Sequence, residues 1–213
     1  MDPDATNGFP ELIDDLGASG RQLMYRYHQE LSDKFGPLDG QLSMYDVFMA
    51  GVLRRAYALT RGFFDLIASR NFTAAAPLVR LQLDNALRTA ASVWTRDAQE
   101  FFMLLREGKQ INRMFADEGK PMTDRYLCKR LALEHPWITQ IYDETSAFIH
   151  LSDKHFLAAM PPGVTYETFR AVLADDEPGV PDGAYGDAIV SFVRVTTLVL
   201  EQLDVYAKQK YGS

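Results

Sequence analysis

The stretch PLVRLQLDNALRTAASVW, residues 77–94, reads as a helix with two kinds of surface. Val79, Leu83, Ala86, Leu87, Ala90, Val93 and Trp94 follow the helical period and form an apolar stripe. Along its border run Arg80, Asp84 and Arg88, four residues apart and therefore on one row. Pro77 falls in the first turn of this reading, where a missing N–H does little harm. A helix so apolar must be covered by its neighbours, so the stretch points to helix-on-helix packing.

Working outward, the flanking sequence supplies those neighbours. A long helix is expected from Ser43 to Arg70, because Ser43 and Asp46 stand at capping-box spacing. Asn71-Phe72-Thr73 reads as the short turn that follows it. Further back, an amphipathic helix is expected over Ser19–Phe35, stopped by Gly36-Pro37, after a loose leader at 1–17. On the other side, Asp97–Arg106, Thr123–Glu134 and Pro136–Ser152 read as three more helices. Residues 155–186 carry Pro161-Pro162-Gly163, Pro178-Gly179 and Pro181-Asp182-Gly183, and read as an irregular or β-like excursion. A final helix is expected over Asp187–Lys208. The expected fold is all-α: one helical bundle domain over 18–213, with the excursion inserted before its last helix.

Composition sets outer limits on function. A 213-residue chain with 47% hydrophobic residues has ample material for a core. Its net charge of -7 argues against broad, sequence-blind adhesion to nucleic acid. One segment opposes that total: Arg106 to Arg130 holds seven Lys or Arg against four Asp or Glu. Within it Lys120, Arg125, Lys129 and Arg130, with Tyr126 between them, form a basic patch able to meet phosphates. More often such a patch is a solvated helix face. Cys128 is the single cysteine, so no internal disulfide is possible. The acidic N-terminal stretch has no apolar signal-like core, and Arg194 breaks the best apolar run, Ala188–Leu200. A cytoplasmic protein without a membrane span is expected. No Gly-rich phosphate loop is present, which removes P-loop and Rossmann functions.

A second polar row, Tyr142-x3-Ser146-x3-His150, lies in the helix expected at 136–152. If it faces the first row, the two make either a structural network or a reactive site. As a site, His150 is the candidate general base and Arg80 the candidate phosphate clamp, as metal-independent RNA cleavage would need. As a network, His150 donates to a carboxylate such as Asp84, and Arg80 and Tyr142 complete the set. A Ser146–His150–Asp84 hydrolase lacks an oxyanion hole, because mid-helix N–H groups are already bonded. His150, Asp153 and His155 lack the spacing of a metal motif, and neither a metal nor a cofactor is expected.

The segments FFDLIASRNFTAAAPLVRLQLDNALRTAASVW and YDETSAFIHLS resemble an uncharacterised bacterial family of helical proteins related to HEPN domains (higher eukaryotes and prokaryotes nucleotide-binding). That family pairs an Arg-x3-Glu helix with a Tyr-x2-Leu-Ser-x3-His-x-Ser helix. Arg80 matches its Arg, Asp84 stands in place of its Glu, and Tyr142, Ser146, His150 and Ser152 match the second motif. Thr145 replaces the Leu. The resemblance spans about residues 45–160. It implies a helical bundle, a homodimer through an apolar helix face, and binding or processing of RNA or nucleotides, often in bacterial defence or stress. Asp84, Tyr142, Ser146 and Ser152 would then be binding residues. HEPN ribonucleases also carry Arg-x4–6-His, and no Arg precedes His150 at that distance. Arg130-x4-His135 has the spacing, but Leu131 follows the Arg and Pro136 the His. The alternative expectation is a non-catalytic scaffold or regulatory protein whose polar rows are structural.

Overall fold

Why one helix should organise the rest is visible in its burial. The computed structural model describes residues 43–149, 177 and 180–211. Six α-helices make up this part: α1 (Met44–Ala68), α2 (Phe72–Val93), α3 (Ala98–Arg106), α4 (Asp124–Leu131), α5 (Trp137–Ile149) and α6 (Asp182–Tyr211). A short 3-10 turn lies at Ile111–Arg113. Fourteen of the 22 residues of α2 are buried, so it is packed on nearly every side. It touches α1, α3, α4, α5 and α6. The fold is an all-α bundle around α2, and among the described residues there is no strand.

The start of α1 is fixed by its own sequence. Asp46 Oδ2 accepts from Ser43 N at 2.7 Å, and Ser43 Oγ accepts from Asp46 N at 3.3 Å, closing the expected capping box. Asp46 is buried, and its other oxygen accepts from the Tyr206 hydroxyl at 2.6 Å, so the cap also ties α6 to α1. Nearby, Tyr45 packs on Tyr206 and Phe102, and Phe48 packs on Phe101 and Phe102. These rings hold α3 against α1. Deeper in the bundle Phe63 and Phe192 stack at 4.1 Å, joining α1 to α6.

The turn from α1 to α2 is tighter than the sequence suggested. Asn71 caps α2, so Phe72 and Thr73 are already helical and Pro77 is its sixth residue. The chain reverses at Arg70, whose φ of 56° is uncommon for a residue with a side chain. Three contacts hold it there. Its carbonyl accepts from the Tyr185 hydroxyl at 2.7 Å, its guanidinium pairs with Asp182 at 2.9 Å, and that guanidinium lies over the Tyr185 ring. Glu177 accepts from Thr73 N and Thr73 Oγ1, placing a carboxylate at the positive end of α2.

Two further expectations are corrected. Val93 is 62% exposed and Trp94 caps the end of α2, so the last buried residue of the expected stripe is Ala90. The last helix opens at Asp182, five residues before the expected Asp187, because Pro181 and Asp182 act as a helix start rather than a loop. Of the excursion at 155–186, Asp182–Gly186 are thus helical; the rest, apart from Glu177, Val180 and Pro181, lies outside the described residues. The leader at 1–17 and the helix expected at Ser19–Phe35 also lie outside them.

Between α3 and α4 the chain is pinned by turns, the 3-10 turn at Ile111–Arg113 among them. Gly108, at φ 84°, ends α3 in a Schellman arrangement: its N–H reaches Leu105 O, and Lys109 N reaches Leu104 O. Asp117 N donates to Trp94 O and Met122 N to Met114 O, so the loop is folded back on the end of α2. Thr123 then caps α4. This places Asp124, its first residue, beside α2.

Candidate functional site

The row Arg80, Asp84, Arg88 is where the charges of α2 collect. A border position was expected, but Arg80 is buried, with 8% of its side chain exposed. An arginine in that setting requires an anion, since burying an unpaired charge is prohibitive. Its partner is Asp124, at 2.8 Å. Arg88 binds the other oxygen of the same carboxylate and also reaches Asp84 at 2.8 Å, one turn back on α2. Asp84 accepts in addition from Arg55 of α1 at 3.0 Å, and Arg55 also donates to Asn85. Three arginines and two aspartates therefore form one continuous chain from α1 across α2 to α4.

The second row meets this chain at one point. Tyr142 of α5 lies under the Arg80 guanidinium, with 4.7 Å from Arg80 Cζ to the ring centroid. Ser146, one turn further, donates its hydroxyl to the Tyr142 carbonyl of its own helix. That hydroxyl is used locally. His150 and Ser152 lie outside the described residues. Arg80, Tyr142 and Asp124 are brought together, while Asp84 is turned toward Arg55 and Arg88. Arg80 and Tyr142 meet, as the network alternative had them, and the carboxylate that Arg80 binds is Asp124 of α4.

Electrostatics follow the geometry. Burial pushes the Asp124 carboxyl up, but the charges and hydrogen bonds of Arg88 and Arg80 outweigh it and hold the group below its ordinary range. The buried Cys128 thiol is pushed up by desolvation, with Asp143 adding to the effect and Arg80 opposing it. It is therefore not a poised nucleophile. Arg80 Nε and Arg88 Nη1 are buried with no hydrogen-bond partner among the described residues. Two N–H donors of the network are thus left over after Asp84 and Asp124 have been shared.

Sequence reasoning missed Asp124 and a whole neutral row on the same helix. Gln82, Asn85, Thr89 and Ser92 are buried. Gln82 Nε2 donates to Thr196 Oγ1 at 2.9 Å, and Asn85 Nδ2 donates to Gln82 Oε1 at 3.0 Å. Thr89 donates to Asn85 O, and Ser92 to Thr89 O. Their spacing of three and four was the available signal. For Asp124 the signal was its place directly after the helix-capping Thr123.

The basic patch is largely spoken for. Arg130 grips Asp117 through both terminal nitrogens, donates to Tyr126 Oη at 3.1 Å, and stacks over Trp94 at 4.5 Å. The Asp117 partnership raises the Arg130 pKa further and lowers that of Asp117. Lys120 pairs with Glu118 at 3.3 Å. His135 sits at the edge of Trp137, so Arg130 and His135 have separate partners. Arg125 and Lys129 are exposed. Among the described residues no three His, Cys, Asp or Glu side chains are grouped to hold a metal ion, and no helix is long and apolar enough to cross a membrane. Compared with protein-family models, curated proteins and solved structures, the chain matches none.

Proposed function

We propose that this protein is a non-catalytic helical scaffold or regulatory protein in which the polar rows set helix register. The observation that carries this reading is Asp124: one carboxylate pairs with both Arg80 and Arg88 from within the fold. An arginine so engaged is costly to divert to a ligand, because Asp124 would be left as an uncompensated charge. Ser146 supports the same reading, since its hydroxyl is bonded to its own helix. The paired rows fix which turn of α2 meets α4 and α5, a register role for which buried polar groups are suited.

A second reading is favoured by the leftover donors. Arg80 Nε, whose guanidinium lies over the Tyr142 ring, and Arg88 Nη1 are N–H donors without a partner among the described residues. Phosphate and base are recognised by such groups, so a HEPN-like protein that binds or processes RNA or nucleotides in bacterial defence or stress is the alternative. His150 would then be the base and Arg80 the clamp, with Asp84, Tyr142, Ser146 and Ser152 around the ligand.

A labelled single-stranded RNA pool, incubated without metal beside a His150→Ala control, separates the two. The scaffold reading expects intact, unretained RNA and a lower melting temperature for His150→Ala. Cleavage that disappears in His150→Ala, at unchanged melting temperature, overturns it in favour of the RNA-directed enzyme.

A further inference from the structure

Beside Ser43, where the described chain begins, a groove of about 340 Å³ opens between the start of α1 and α3. Its wall is mostly apolar, built from Met44, Tyr45, Ala98, Phe102 and Met103. Tyr45 and Phe102 pack against each other at 5.0 Å, which fixes that part of the wall. Met44 and Met103 are 48% and 54% exposed, so a guest can reach them, and their unbranched side chains adapt to its shape. Arg106 is the one charged side chain of the lining. It lies in the last turn of α3, exposed and with no ion-pair partner among the described residues.

The chain that leads to Ser43 carries a segment of matching chemistry. In FPELIDDL, residues 9–16, Phe9, Leu12, Ile13 and Leu16 stand at i, i+3, i+4 and i+7, the spacing by which a helix anchors in an apolar groove. Glu11, Asp14 and Asp15 fall outside that stripe. Pro10 and Gly17 occupy the places where a helix starts and stops. A helix this short does not persist alone in water, so the sequence reads as a loose leader until an apolar surface covers the stripe. Residues 1–17 hold five Asp or Glu and no Lys or Arg, which suits a groove whose charge is a guanidinium. The other apolar groove, between α2 and α6, is lined by Glu134 and Glu201 and repels such a segment.

We propose that residues 9–16 of this chain dock as a short helix in the groove between α1 and α3, with the stripe on Met44 and Met103 and the carboxylates toward Arg106. The tether through residues 17–42 ends on the groove itself, and it holds the segment at an effective concentration on the order of millimolar. A second copy or a free partner must exceed that concentration to compete. The inference goes beyond the scaffold reading and does not depend on it, since the charged row plays no part in this groove.

The test is disulfide trapping in the full-length chain. Leu12→Cys is combined with Gln99→Cys, an exposed position on the groove, and as a control with Val190→Cys, which is 63% exposed on α6. Val190 lies 16 residues before Tyr206, the α6 residue that packs on Tyr45, so it is about 24 Å along the helix from the groove end. Cys128 is buried and stays in place. The groove pair is expected to close an internal disulfide about tenfold faster than the control pair, with the link mapped by peptide mass spectrometry. Ile13→Asp, which puts a charge in the stripe, is expected to bring the rate down to that of the control. Arg106→Glu is expected to slow closure about threefold at low salt and less at high salt, and Asp14→Arg with Asp15→Arg is expected to restore it. Equal rates for the two pairs, a rate that Ile13→Asp leaves unchanged, or a disulfide between two chains in place of the internal one overturns the proposal.

Discussion

α2 carries two polar rows held by different physics, a charged one that is partly exposed and a neutral one that is buried. The charged row, Arg80, Asp84 and Arg88, reaches α4 through Asp124 and α5 through Tyr142. The neutral row, Gln82, Asn85, Thr89 and Ser92, reaches α6 through Thr196 and α1 through Arg55 and Tyr45. In the first, few contacts carry large charges, and removing one partner strands another. In the second, each bond contributes only about 0.5–1.5 kcal/mol net, but the polar groups sit among Leu83, Ala86 and Leu87 with little water to replace a lost partner. The charged row is thus sensitive to single deletions, and the neutral row to geometry. Arg55 touches both, through Asp84 and Asn85, and couples them.

The largest effect should come from the carboxylate that serves two arginines. Asp124→Ala should lower stability by about 3 kcal/mol, the low end for breaking a buried ion pair because Asp124 is one-third exposed. Denaturant unfolding measures it. A loss under about 0.5 kcal/mol, the range of ordinary surface changes, would remove the contrast between the rows.

Next is the neutral row. Gln82→Leu leaves Asn85 Nδ2 without its acceptor and should cost about 1–2 kcal/mol. Adding Asn85→Leu should recover part of that loss, since replacing both partners by apolar groups leaves less unpaired. A double-mutant cycle with full additivity would show that the two amides are not coupled.

Acid sharpens the comparison by acting on one row alone. The Asp124 carboxyl is held below its ordinary range, so the folded state favours its charged form. That stability is complete above the unfolded value, about pH 3.9, and is lost as pH falls through the lower folded value. The gap in stability between the native chain and Asp124→Asn should therefore narrow below about pH 4. Urea melts at a series of pH values measure the gap, while the gap between native and Gln82→Leu should hold steady. Smallest of all, Ser146→Ala should change stability by less than about 0.5 kcal/mol, because its hydroxyl bonds only to the carbonyl one turn back. A drop in melting temperature comparable to Asp124→Ala would place Ser146 in the network instead.

Part of this was legible from local signals. The Ser43–Asp46 cap and the apolar period of α2 follow from spacing along a helix, while the meeting of Arg80 with Tyr142 was expected only on the condition that their two helices face each other. Asp124 was not legible, because residues 44 positions apart meet only when α4 is folded back by the pinned loop after α3. Gln82 and Asn85 were passed over because an amide reads as surface until every side of its helix is covered. Val93 keeps the apolar period but, as the last residue of α2, is largely exposed.

The sequence by itself determined an all-α bundle, the apolar period of α2, and a row of polar groups along each of two helices. Period and capping are properties of a few consecutive residues, and they survive without knowledge of the partner. Which carboxylate meets which guanidinium, and which amide is buried, was decided only by the tertiary structure. Those choices depend on where α4, α5 and α6 pass α2 to within a hydrogen bond, and no local pattern encodes a distance between segments far apart in the chain.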